Sequence, residues 1–152
     1  MSGVTADEFA DALWKIQQDI TGDPGREHKS VIVTAVGWLE FGKNTYESVR
    51  DAYDLQEKYA NELRDVMDMG IPIVCAAGNS GQRDIDNVPQ LFADERTPLI
   101  VVGAAEFDGS RAEFSQGGNQ LTVYAPGGKS PLQSTKDETE RESAGTSVGK
   151  QL

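Results

Sequence analysis

Three short runs limit what this chain can fold into: VIVTAV (Val31 to Val36), IPIVCAA (Ile71 to Ala77) and LIVVGAA (Leu99 to Ala105). Each is apolar at consecutive positions and rich in small or β-branched residues, the pattern of a strand covered on both faces in a parallel sheet. LTVYA (Leu121 to Ala125) is a weaker fourth candidate. Helical spacing fills the intervals. Thr5 and Glu8 form a capping box, after which Phe9, Ala12, Leu13, Ile16 and Ile20 recur on one face until TGDPG stops the pattern. A second helix starts near Asn44 or Thr45, carries Val49, Ala52, Tyr53, Ala60, Leu63 and Met67 along one stripe, and ends at Gly70. The order predicts an α/β fold with a mostly parallel sheet.

A chain of 152 residues can bury a real core as one domain. Its net charge of -11 repels phosphate backbones and anionic membrane surfaces, so nucleic acid and membrane are poor partners. No apolar run reaches the roughly 18 residues of a membrane span, and the N-terminal stretch lacks the basic start and apolar core of a signal peptide. Cys75, the single cysteine, cannot form an internal disulfide and reads as a buried thiol in an apolar run. From Pro126 to Ala144 the sequence is polar and turn-rich, and KDETERES is too charged for a core element.

Glycine-containing stretches follow the strand candidates, at the place where open α/β sheets bind ligands: VGW at Gly37, AAGNSG at Gly78 to Gly81, and GTSVG near the C-terminus. AAGNSG reads either as an ordinary strand-to-loop turn or as a mount for the Asn79 amide as a hydrogen-bond donor. GTSVG satisfies the Gly-x-Ser-x-Gly pattern of a nucleophile elbow, but the polar KDETERESA stands where the elbow needs a buried strand. PGGKS lacks the first glycine of a phosphate-binding loop, and AGNSG lacks the second glycine of a dinucleotide-binding turn. One histidine and one cysteine make a transition-metal site of the usual kind improbable.

In order, VIVTAVGW, GIPIVCAAGNSG, PLIVVGAAEFDGSRAEFSQGGNQLTVYAPG and SAGTSVG resemble the second half of a subtilisin-like serine protease, a subtilase. The resemblance implies an incomplete subtilisin-like three-layer fold, with residues 1–152 as a single partial peptidase domain. It also implies a role for each matching residue. Ser147 matches the nucleophile, and Asn79 the asparagine that stabilises the oxyanion beside the serine N–H. Ala35, Val36 and Gly37 match the segment that pairs with an extended peptide substrate. Ala76, Ala77 and Gly78 match a wall of the pocket for the side chain before the cut.

The departures matter as much. Subtilases carry a catalytic aspartate and histidine in an Asp-Ser/Thr-Gly turn and a His-Gly-Thr frame, and neither occurs here. His28, in GREHKS just before the first strand, does not match by motif and reads as a solvated loop residue. SVGKQL (Ser147 to Leu152) replaces the usual Ser-Met-Ala-x-Pro, Ala35 stands where serine is common, and Trp38 where glycine is common. The expectation is a serine-type endopeptidase fragment, inactive by itself, whose partner is an extended peptide or protein substrate. The alternative is a noncatalytic peptide- or protein-binding relative of the protease fold. Calcium enters only through the family, since Glu106 and Asp108 do not make a site. Sheet edges and apolar surface left uncovered imply marginal stability or self-association.

Overall fold

The computed structural model describes residues 6–23, 25–26, 29–37, 57–81, 83–128, 130–133 and 140–149. Helix α1 (Ala6–Thr21) buries Ala10, Leu13 and Ile20, with Phe9 and Ile16 packed at the margin. Ala12, expected on this stripe, is exposed. Adjacent helical residues point about 100° apart, so a face centred on Leu13 takes Ala10, three residues earlier, and turns Ala12 aside. Helix α2 (Glu57–Asp68) buries Tyr59, Ala60, Leu63 and Val66. The Phe9 and Tyr59 rings meet with centroids 5.4 Å apart, and Lys58 donates to Asp11 at 2.9 Å on the solvent side of the helix pair. That hydrogen bond and the ammonium charge hold the Asp11 carboxyl below the usual carboxylate range. The expected cap at Thr5, the start at Asn44 or Thr45 with Val49, Ala52 and Tyr53, and the positions of His28 and Trp38 lie outside the described residues.

Strands β1 (Ile32–Thr34), β2 (Ile73–Ala76), β3 (Leu99–Ala105) and β4 (Val123–Pro126) form one sheet in the order β1-β2-β3-β4. Every neighbouring pair is parallel. The α/β fold with a parallel sheet is therefore as the sequence predicts, although β1 is shorter than VIVTAV and β4 starts later than Leu121. Register explains which face is covered. Ile32, Ile73 and Leu99 stand abreast, as do Thr34, Cys75 and Val101, and this face joins α1 and α2 in the core. Cys75 is fully buried there, as expected for a structural thiol.

The opposite face is less protected. Val33, Val74 and Ile100 stand abreast on it; Val33 is 51% exposed, and Val31, just before β1, is 57% exposed. Parallel sheets ordinarily have both faces covered. We expect the isolated chain to associate through this face, with a sedimentation coefficient that rises with concentration and a Val33→Lys variant that stays closer to monomer. A sharp, concentration-independent melt of a monomer would contradict this.

Beyond β4 the chain makes a two-stranded antiparallel ribbon, β5 (Ser130–Gln133) with β6 (Glu140–Ser143), where the sequence suggests only polar turns. The charge that keeps KDETERES out of a core does not prevent a ribbon in which each backbone satisfies the other. Helix α3 (Thr146–Gly149) follows and abuts β2, β3 and β4. The turn after β2 thus meets α3 on the carboxyl side of the sheet.

Candidate active site

The site begins with the way the chain leaves β2. Gly78 has φ +113°, a left-handed conformation that L side chains avoid, and a Cβ there would lie 2.1 Å from Gln116 Oε1. The turn carries Asn79 toward α3. Asn79 Oδ1 accepts from both the N–H and the hydroxyl of Thr146, each at 3.0 Å. The Thr146 hydroxyl in turn accepts from the Gly78 N–H at 3.2 Å. A backbone N–H can only donate, so the atom facing Thr146 must be the amide oxygen, and the amide NH2 points the other way. A Cβ on Gly145 would lie 3.2 Å from Ser147 Oγ and 3.4 Å from Asn79 Nδ2. Hydroxyl and amide donor therefore flank the same point. The Gly145 N–H donates to Gly127 O at 2.8 Å, tying this loop to the end of β4. Ser147 is half-buried in the first turn of α3, where N–H groups have no intrahelical acceptor.

A cavity of about 260 Å³ opens beside Ser147. Ala35 and Gly37 border it after β1, with Ala76, Gly78 and Asn79 along the end of β2. Of the residues expected at the substrate, Val36 and Ala77 do not line it. Ala77 is fully buried with its N–H on Val102 O, and the Val36 N–H donates to Thr34 Oγ1 at 3.2 Å. An extended chain shows alternate residues to opposite sides, which separates Ala35 and Gly37 from Val36.

Sequence reasoning missed Thr146, Asp86, Asn87, Gln90 and Gln116, all of which line the cavity. Thr146 stood inside the quoted GTS frame, and Gln116 inside FSQGG. The Gln116 N–H donates to Gly78 O at 2.9 Å, so the turn after β3 clamps the loop after β2. Gln90 opens a short 3-10 turn, Gln90–Phe92, and no spacing rule marks it.

Gly78→Ala tests the clamp. A residue forced into a left-handed conformation costs about 1–3 kcal/mol, and the added methyl must also displace Gln116. We expect a lower urea midpoint with shifted Gln116 and Thr146 amide resonances; an unchanged midpoint would show that the turn relaxes freely.

Away from the cavity, Asp108 Oδ1 accepts from Ser110 Oγ at 2.6 Å and Ser110 N–H at 2.9 Å, which lowers its pKa. Among the described residues no group of three His, Cys, Asp or Glu side chains is arranged for a metal, and no helix is long and apolar enough to cross a membrane.

Comparison with known proteins gives a consistent answer. A subtilisin-like protease of Coccidioides posadasii (strain C735) is 30% identical over 123 residues, covering 81% of this chain and 25% of the relative. Among solved structures, a cold adapted subtilisin-like serine proteinase superposes with a TM-score of 0.69 at 21% identity, over 98% of this chain and 45% of that one. The prenylagaramide maturation protease PagA gives a TM-score of 0.69 at 16% identity, over 99% and 47%. The PatG macrocyclase domain gives 0.67 at 20% identity, over 96% and 38%. The structural likenesses speak to the fold alone, and this chain spans less than half of each of those proteins. The sequence profile of the subtilase family, the S8 peptidases, matches residues 6–151, and the chain belongs to that family.

Proposed function

We propose that these residues form the nucleophile-bearing part of a serine endopeptidase. Ser147 Oγ attacks the scissile carbonyl. Asn79 Nδ2 and the Ser147 N–H receive the oxyanion, and the substrate runs extended along Ala35 to Gly37. The observation that supports this best is the double hold of Thr146 on Asn79 Oδ1, which turns the NH2 end toward the serine. Such an amide, fixed before the reaction, stabilises charge that develops only in the transition state. The residues before the cut enter the cavity between Gly37 and Gly78. By itself the 152-residue chain lacks the histidine frame that would take the serine proton.

Joining the chain behind the aspartate- and histidine-bearing segments of the Coccidioides relative tests the reading. A folded chimera should hydrolyse a chromogenic peptide, and Ser147→Ala should abolish the activity. A folded but inactive chimera would argue against it.

A further inference from the structure

We propose that the cavity beside Ser147 selects a cationic side chain, lysine or arginine, at the substrate residue before the cut; the proposal rests on the peptidase reading above. Two buried glutamines set the polarity. Gln90 is 1% exposed, and its Nε2 donates to the Ala76 carbonyl, which only the nitrogen end can do. Its Oε1 is left without a hydrogen-bond partner among the described residues, on a side chain that lines the cavity. Gln116, 2% exposed, is fixed in the same sense: Nε2 donates to Asp84 O at 3.0 Å and to Asp86 Oδ1 at 2.8 Å, with Oε1 against Gly78.

Asp86 is the charged residue of the lining, 8% exposed. Arg83 Nη2 stands 2.7 Å from its Oδ2 as an ion pair, without hydrogen-bond alignment. Asn87 is the exception: its Nδ2 faces the Gly37 side of the cavity, and its buried Oδ1 has no hydrogen-bond partner among the described residues.

An occupant must suit oxygen acceptors. Ammonium and guanidinium groups carry donors and no acceptor, so either suits Gln90 Oε1, Gln116 Oε1 and the carboxylate. A neutral amide would bring its own carbonyl against them. An apolar end would leave Gln90 Oε1, already shut off from solvent, still without a partner, which sites built to bond a polar group reject strongly. The net charge of -11 further favours cationic segments on approach.

The test uses the whole chain, isotopically labelled, titrated with acetylated tripeptide acids that differ only in a final lysine, arginine, glutamine or norleucine. Amide shifts of Gly37, Gly78 and Gly145 report binding in the cleft. We expect lysine and arginine to bind about tenfold or more tighter than norleucine, which keeps the four-carbon chain of lysine without its ammonium. Gln90→Met should erase that preference while norleucine still binds, which also shows that the variant is folded. Asp86→Asn should weaken the cationic peptides alone. Norleucine binding in the cleft as tightly as lysine would overturn the preference and leave the peptidase reading standing. No peptide perturbing the cleft would overturn the substrate reading itself, and the preference with it.

Discussion

Purified by itself, the 152-residue chain is expected to keep an unchanged intact mass after exposure to a fluorophosphonate, to match its Ser147→Ala variant, and to cleave no peptide above the buffer rate. A serine hydroxyl is a weak nucleophile until a base removes its proton, and in this family a histidine held by an aspartate does so. Around Ser147 the structure places the Asn79 amide nitrogen and a cavity, which on the proposed reading serve as oxyanion donor and side-chain pocket. Those parts alone have a known limit. In subtilisin, loss of the serine or histidine lowers turnover by about a million-fold, a value that belongs to that enzyme, with only a residue of oxyanion and binding effects left. Circular dichroism on the same sample makes the result decisive. A folded chain that is labelled, with labelling lost in Ser147→Ala, would mean that a base outside the family pattern serves this serine.

The sheet was legible because buried parallel strands have few alternatives: Ile71 to Ala77 and Leu99 to Ala105 are too apolar and too short for anything else, and both carry the predicted strands. The helix faces were legible in part: Leu13, Ile20, Ala60 and Leu63 are buried as the spacing predicts, whereas Ala12 is exposed and the buried Ala10, Tyr59 and Val66 fall outside the predicted stripes. The ribbon at Ser130–Gln133 and Glu140–Ser143 was not, because a strand pair that needs no apolar face leaves no periodic signal. At the site, Ser147, Asn79 and the glycine turns could be named from short motifs. Gln90 and Asp86 could not, since their meaning comes from the loop between β2 and β3 reaching the end of β2 through Gln90 and the turn after β3 through Asp86, contacts between residues with no fixed spacing.

In an active chimera, Asn79→Ala is expected to lower kcat about 100- to 1000-fold with little change in KM, the loss measured for the corresponding donor in subtilisin. An effect of that form means that an interaction made in the transition state has gone, because ground-state binding would show in KM. Alanine alone cannot separate the donor from the scaffold, since it also frees the N–H and hydroxyl of Thr146. Asn79→Asp can. A carboxylate keeps an oxygen for both Thr146 bonds but puts a second, anionic oxygen where the NH2 end lies, opposite the developing negative charge. If Asn79 acts as the oxyanion donor, Asp should reduce kcat at least as far as Ala while the urea midpoint stays near that of the parent. If the residue only braces the loop, Asp should retain most of the activity. Thr146→Val provides the complementary readout. It removes the hydroxyl that links Asn79 Oδ1 to the Gly78 N–H but leaves the backbone donor in place. The amide then loses one of its two holds, and we expect a loss of about tenfold in kcat, smaller than that of either Asn79 variant, as a positioning group would give.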